Sequence, residues 1–266
     1  MKPFFVSIPH SGEKVPPETP WLHGLPEPVL MRDVDRYVNR LYRPALELLQ
    51  ISWVETEWHR YVVDLNRFPD DVDQDSVQGS VNPSGKFARG FHWSITTFGE
   101  RLMPKPMTYE LHQQLVARYF EPFHAQMRAR YSDLRGHWAH EIYHIDAHSM
   151  PSVGTKEHRD PGQARADIVV SDCEGKSCAP WFKDKVIECY SAVGFKVAYN
   201  WPYTGGRVTE TYGKPAQGQH SIQVEMSRAL YMNEDDKSYT DALARPVQEK
   251  LKRALTAVRD ALPDIR

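Results

Sequence analysis

The chain is poor in cysteine. Cys173, Cys178 and Cys189 make an odd count with no CxxC spacing, which excludes a disulfide framework and a zinc ribbon and fits a reducing compartment. It has no large excess of either charge: 33 Lys and Arg against 35 Asp and Glu leave a formal net charge of -2, so there is no concentrated basic face to draw nucleic acid or anionic membrane. No apolar run approaches the roughly 18 residues of a membrane span. The start, Met1-Lys2-Pro3-Phe4-Phe5, lacks the charged head, apolar core and small-residue site of a secretory leader. Repeats, low-complexity tracts and linkers are absent too. These absences lead to the expectation of a soluble cytoplasmic protein.

What is present reads as ordinary globular usage, with 41% hydrophobic and 26% charged residues over 266 positions, enough for a sizeable core. Phe4 to Pro9 is a short apolar run stopped by Pro9-His10-Ser11-Gly12 and predicts a buried strand and tight turn. Val29 to Leu49 carries Val34, Val38, Leu41, Leu46 and Leu49 at helical spacing, with Asp33 and Asp35 in the first turns, where carboxylates suit the helix dipole. Ser52 to Glu57 and Arg60 to Leu65 read as two strands. From about 68 to 107 the chain is rich in Asp, Gly and Pro and predicts a long irregular excursion, its aromatics Phe87, Phe91, Trp93 and Phe98 favouring an ordered lid. The Asp70 to Asp75 cluster within it reads as a solvated loop.

Thr108 to Leu134 has helical periodicity interrupted by Pro122. Strands are expected over Tyr143 to His148, Ala166 to Ser171, Phe195 to Asn200 and Ser221 to Met226. A helix from Ala179 to Val193 begins at Pro180 and stops at Gly194, and another covers Thr240 to Ala261. A glycine-marked loop spans Gly205 to Gly213. Strands alternating with helices predict one α/β domain over residues 1–266 around a largely parallel sheet.

His10, His148 and Glu225 share one property: each lies at or near the end of an expected strand, where ligands gather in α/β sheets. Two histidines from separate strands with a carboxylate suit catalytic zinc, which keeps one position open for water. The carboxylate could be Glu13, through its HxxE spacing with His10, or Asp33, or Asp35. Asp146 sits two residues before His148, on the same strand face, and could orient that imidazole. Glu225, a carboxylate in an apolar strand, suits a general base, or an ion-pair partner of Arg228. Arg60 and Arg67 could hold a substrate carboxylate, or pair with Asp64 and the aspartates beyond it. His124 on the long helix reads as a core histidine.

Pro9-His10-Ser11-Gly12, Asp33-Val34-Asp35, Arg60-Tyr61-Val62-Val63-Asp64-Leu65-Asn66-Arg67, Asp146-Ala147-His148-Ser149, Gly205-Gly206 to Tyr212-Gly213 and Gln223-Val224-Glu225 occur in one order. Together, over residues 4 to 232, they resemble the N-formylglutamate amidohydrolase family. The resemblance implies a three-layer α/β/α domain with a mixed, largely parallel sheet, similar to zinc carboxypeptidase-like folds, and hydrolysis of an N-acyl amino acid such as N-formyl-L-glutamate. It implies one zinc ion on His10, Asp35 and His148, Glu225 as base with Arg60 beside it, and Arg60, Asn66, Arg67, Arg207 and Tyr212 at the substrate. A binding protein for acidic small molecules or peptide ends on the same scaffold is the rival reading. Between Gly206 and Tyr212 the chain departs from the family, offering Arg207, Glu210 and Thr211 where histidine and basic residues are common. Glu210 would repel a dicarboxylate if it faced the pocket.

Overall fold

A computed structural model describes residues 2–136 and 140–263. Its centre is a six-stranded sheet of order β2-β1-β3-β6-β4-β5, formed by β1 (Phe4–Ile8), β2 (Ser52–Glu55), β3 (Ile142–Met150), β4 (Ile168–Ser171), β5 (Val197–Tyr199) and β6 (Gln219–Ser227). β1 pairs in parallel with β2 and β3, β3 with β6 and β4 with β5, while β4 runs antiparallel to β6. The sheet is therefore mixed and largely parallel, as expected, and β1, β3 and β6 deliver their carboxyl ends to the same edge.

Helices cover both faces. In chain order they are α1 (Pro20–His23), α2 (Glu27–Leu30), α3 (Val38–Leu49), α4 (Tyr109–Leu115), α5 (Glu121–Gly136), α6 (Pro180–Ala192), α7 (Arg207–Tyr212) and α8 (Asp241–Ala261). Strand alternation sorts the side chains. Tyr143, Ile145, Ala147, Ile222, Val224 and Met226 join the apolar cluster under α3, α6 and α8. The intervening His144, Asp146, His148, Ser221, Gln223 and Glu225, all buried, line the other face.

That second face is covered by α5 and by the long excursion, with Phe91, Trp93, Leu102, Met103 and Met107 buried in one cluster with Phe123 and Met127. Burying each such side chain contributes about 1.5–3 kcal/mol, so several together anchor the segment as a wall of the core. Asp71 and Asp73 belong to that wall: both are buried and accept backbone N–H groups, from Phe68 (2.9 Å) and Phe87 (3.0 Å) respectively. The expectation of a fully solvated aspartate cluster is corrected accordingly.

Prolines and glycines decide several boundaries. Pro180 starts α6, and the chain leaves it at Gly194, whose φ of +87° suits glycine. Pro44 sits inside α3 and cannot donate to the Arg40 carbonyl; Gln248 of α8 takes that acceptor at 3.1 Å, tying the two helices together. A π-helical turn, Val116–Phe120, separates α4 from α5 just ahead of Pro122.

Three expected elements differ. The helix read from Val29 begins only at Val38, after Tyr37 at φ +70°, so Asp33 and Asp35 lie in the connection before it. Arg60 to Leu65 is a buried turn rather than a strand, its amides bonded locally and to the excursion, as in Val62 N–H to His59 O (2.9 Å) and Asp64 N–H to Phe91 O (2.8 Å). The glycine-marked loop contains α7, whose second residue, Val208, donates its N–H to Asn66 Oδ1 at 2.7 Å. Gly206 is needed there because a Cβ would lie 2.1 Å from Asn66 Nδ2.

Candidate metal centre

β1 releases the chain at Ile8, and Pro9 turns His10 over the sheet edge. The connection before α3 docks against it: the Asp35 N–H donates to His10 O at 3.0 Å, and the Val38 N–H to Asp35 O at 3.2 Å. β3 supplies His148, and parallel register places Glu225 of β6 beside it and Gln223 beside Asp146. One sheet edge thus collects residues from four parts of the chain.

His10, Asp35 and His148, all buried, offer ligand atoms that lie within 4.8 Å of one another. His148 Nδ1 is 3.1 Å and His10 Nδ1 3.6 Å from Asp35 Oδ2. Behind them the two Nε2 atoms meet carboxylates, His148 with Asp146 Oδ2 at 2.7 Å and His10 with Asp64 Oδ1 at 2.8 Å. An Nε2–H donated to a carboxylate turns Nδ1 toward the other two residues, and its lone pair serves a metal once any proton shared with Asp35 is lost. His10 Nδ1 is buried and has no hydrogen-bond partner among the described residues. An orphaned acceptor beside a second imidazole and a carboxylate fits a divalent metal ion.

The supporting carboxylates are themselves held. Asp64 also accepts from Arg60 Nη2 (2.8 Å), Trp93 Nε1 (2.9 Å) and the Asn66 N–H (2.9 Å). Burial works against charging Asp64, but His10 and Arg60 outweigh it and hold the carboxyl well below its usual range. Asp146 also accepts from Ser7 Oγ, and Ser7 is bonded to His144 Nε2 at 2.7 Å. Asp35 Oδ1 is bound by Arg228 Nη2 at 3.1 Å and Ser149 Oγ at 3.3 Å, which leaves Oδ2 to the histidines. Burial opposes the charge on Asp35, while His10, His148 and Arg60 draw its pKa well down. His148 is driven the other way: desolvation lowers it, but Asp146 and Asp35 raise it well above normal.

The competing carboxylates are committed elsewhere. Asp33 Oδ2 accepts from the Tyr61 hydroxyl (2.6 Å), and its other oxygen from Thr97 Oγ1. Glu13 holds Arg36 through two bonds of 3.0 and 3.2 Å. Of the three alternatives, Asp35 alone joins the two histidines.

A cavity of about 410 Å³ opens over this cluster and is lined by Arg60, Asn66, Arg67 and Glu225 as well as His10, Asp35 and His148. Its size suits a small organic molecule. Glu225 is 7% exposed, and burial raises its pKa, partly offset by His148. Arg60 serves both readings made of it: it pairs with Asp64 and yet lines the cavity, its Nε buried without a partner. The excursion closes one side of the cavity as a packed wall, through Lys86, Phe87, Arg89 and Trp93.

Two expected substrate residues do not reach this space. Tyr212 is buried, its hydroxyl 2.9 Å from His124 Nδ1, and Arg207 turns to Asp71 (3.4 Å) and Glu210 (2.6 Å). Neither lines the cavity, and neither does Glu210, whose carboxylate pairs with Arg207 in an adjoining pocket. His124 is the core histidine it was expected to be, with Nε2 against Leu65 O at 3.0 Å and burial lowering its pKa to about 4.

Sequence reasoning did not assign Asp64 to His10, Gln223 to Glu225 or Arg228 to Asp35. The Gln-Val-Glu spacing was a usable signal, since residues two apart on a strand share a face. Arg228 was weighed as a partner of Glu225, but the fold gives it to Asp35.

The comparisons with known proteins agree with one another. The family model described as N-formylglutamate amidohydrolase matches residues 2–232. An N-formylglutamate deformylase of Pseudomonas putida is 30% identical over 259 residues, covering 96% of this chain and 92% of its own. Its counterpart in Pseudomonas aeruginosa is 28% identical over 234 residues, or 87% of this chain and 83% of its own. The crystal structure of N-formylglutamate amidohydrolase from Ralstonia eutropha JMP134 superposes with a TM-score of 0.85 at 25% identity, covering 98% of this chain and 95% of that one.

Proposed function

The chain belongs to the N-formylglutamate amidohydrolase family, and from that premise we propose that it hydrolyses an N-formyl amino acid, N-formyl-L-glutamate first among them, to formate and the free amino acid with one zinc ion held by His10, Asp35 and His148. The observation that carries this reading is the meeting of His10 Nδ1, His148 Nδ1 and Asp35 Oδ2 beside Glu225, inside a cavity lined by arginine.

Bound zinc would supply Lewis acidity to the formyl carbonyl and to water. Glu225 takes the proton of the water whose oxygen bonds to the formyl carbon. When the carbon–nitrogen bond breaks, the nitrogen keeps the electron pair and receives that proton from Glu225. Arg60 donates its spare N–H to the negative charge developing on the carbonyl oxygen. Arg67, whose guanidinium bonds among the described residues to the backbone carbonyls of Arg89 (3.3 Å) and Asn66 (2.8 Å), keeps its charge for a substrate carboxylate.

The test is a panel of N-formyl and longer N-acyl amino acids, assayed for free amine and formate with and without zinc. Turnover is expected for an acidic N-formyl amino acid and is expected to disappear on chelation. Binding across the panel without turnover would return the chain to the rival reading of a binding protein.

The support behind the ligands gives a further expectation. Asp64→Asn keeps the shape but no longer fixes the His10 tautomer, and losing such a carboxylate partner typically costs about 10- to 100-fold in metal affinity. Competition with a chromogenic chelator measures this; unchanged zinc affinity would remove Asp64 from the support of the site.

A further inference from the structure

Gln223 is 3% exposed and lines the cavity beside Glu225. Its Nε2 donates to Glu225 Oε1 at 2.8 Å. That bond sets the amide's orientation, because an ionised carboxylate only accepts. Gln223 Oε1 is then a buried acceptor, and it has no partner among the described residues. Buried polar groups are rarely left so, and leaving a carbonyl oxygen unsatisfied costs stability that folding alone does not recover here.

The group that would satisfy it is an N–H donor entering the cavity. In the reaction proposed above, which this inference rests on, the substrate carries one N–H of that kind, on the scissile amide. The same nitrogen must receive the proton from Glu225, so a residue bonded to both would set the two against each other. We infer that Gln223 is a specificity-determining and positioning residue: its Nε2 holds Glu225 while its Oε1 accepts the N–H of the scissile amide.

The spacing supports both halves. Gln223 and Glu225 point to the same face of β6, and their β3 neighbours in register are Asp146 and His148. Holding Oε1 of Glu225 leaves Oε2 for the water. A site built to bond a substrate N–H discriminates against an analogue lacking it, because its own buried acceptor then stays unpaired. The substrate class is accordingly secondary amides, with esters and tertiary amides, which lack the N–H, disfavoured.

The experiment compares the best N-formyl amino acid of the panel with its ester counterpart, in which oxygen replaces the N–H, in wild type and in Gln223→Met. Intrinsic ester reactivity cancels in the ratio of ratios. The amide-to-ester ratio of kcat/KM is expected to fall by about 10- to 100-fold in the variant, over and above a fall common to both substrates from the loosened Glu225. Gln223→Ala, which leaves room for water in place of a thioether, serves as the second variant and should show the same loss of preference. Equal losses on amide and ester in both variants would overturn the inference and leave Gln223 acting through Glu225 alone. Wild-type protein that cleaves neither substrate overturns instead the hydrolase reading beneath it, and zinc content measured on the same samples separates that result from loss of metal.

Discussion

Glu225→Gln is expected to lose turnover by roughly a hundred- to ten-thousandfold, the usual contribution of a general acid–base residue, while zinc content stays that of the wild type. The expectation follows from position. Glu225 lies beside His148 in register but outside the group of His10, Asp35 and His148, so its replacement leaves every proposed ligand in place. Glutamine keeps the volume and the acceptor that Gln223 Nε2 uses, and it cannot take a proton. The pH profile adds an independent reading. A base must be ionised to act, and burial raises the Glu225 pKa above the ordinary glutamate value, so wild-type activity should fall as pH drops through that raised pKa. In the variant the residual rate should lack this limb. Near-normal turnover, or an unchanged acid limb, would remove Glu225 from the chemistry.

His148→Ala should abolish zinc binding and destabilise the fold, and His10→Ala should do the first. Elemental analysis and thermal unfolding of the same preparations measure both. His148 is bonded at once to Asp146 Oδ2 (2.7 Å) and Asp35 Oδ2 (3.1 Å), two buried carboxylates. Removing it leaves them facing an unfilled space. Breaking one partner out of a buried ion pair costs about 3–5 kcal/mol, a large share of the 5–15 kcal/mol that holds a typical domain together. His10→Ala is milder, because Asp64 retains Arg60 and Trp93 as donors. Unchanged zinc occupancy in both variants would sink the ligand assignment.

The elements that were legible are those with a long period or a clear stop signal. α6 runs from Pro180 to Ala192, two residues short of Gly194, and α8 was read within one residue of its start, because a helix of 21 residues repeats its apolar positions many times. The central strands β1, β3 and β6 were legible too, β1 as a short apolar run. Arg60 to Leu65 has the same composition as a strand, yet it is a turn: its amides are satisfied by the His59 carbonyl and ring and by the distant Phe91 carbonyl, and local sequence does not reveal which partner wins. α7 has six residues, too few for a period, and its start depends on Asn66, far away in the chain.

The same division runs through the site. Residue chemistry alone marked His10, His148 and Glu225, since imidazoles and a carboxylate at strand ends are informative wherever the sheet lies, and it left three carboxylates to choose among. Family resemblance favoured Asp35, and the fold shows the geometric counterpart: the Asp35 amide binds the His10 carbonyl while Glu13 and Asp33 are held by Arg36, Tyr61 and Thr97. Arg207 and Tyr212 were placed at the substrate by motif position, and the short helix they stand on turns them elsewhere.

The sequence by itself determined the α/β class, the family and the kinds of group available for chemistry, because hydrophobic period, stop residues and motif order are local properties of the chain. Only the tertiary structure decided which atoms meet. Parallel register sets Glu225 against His148, and the second nitrogen of each histidine is claimed by Asp64 or Asp146, turning both Nδ1 atoms to Asp35. The Asp146–His148 pair shares one strand face and is readable from its two-residue spacing, but the other pairings depend on distances between segments far apart in sequence, which no local pattern encodes.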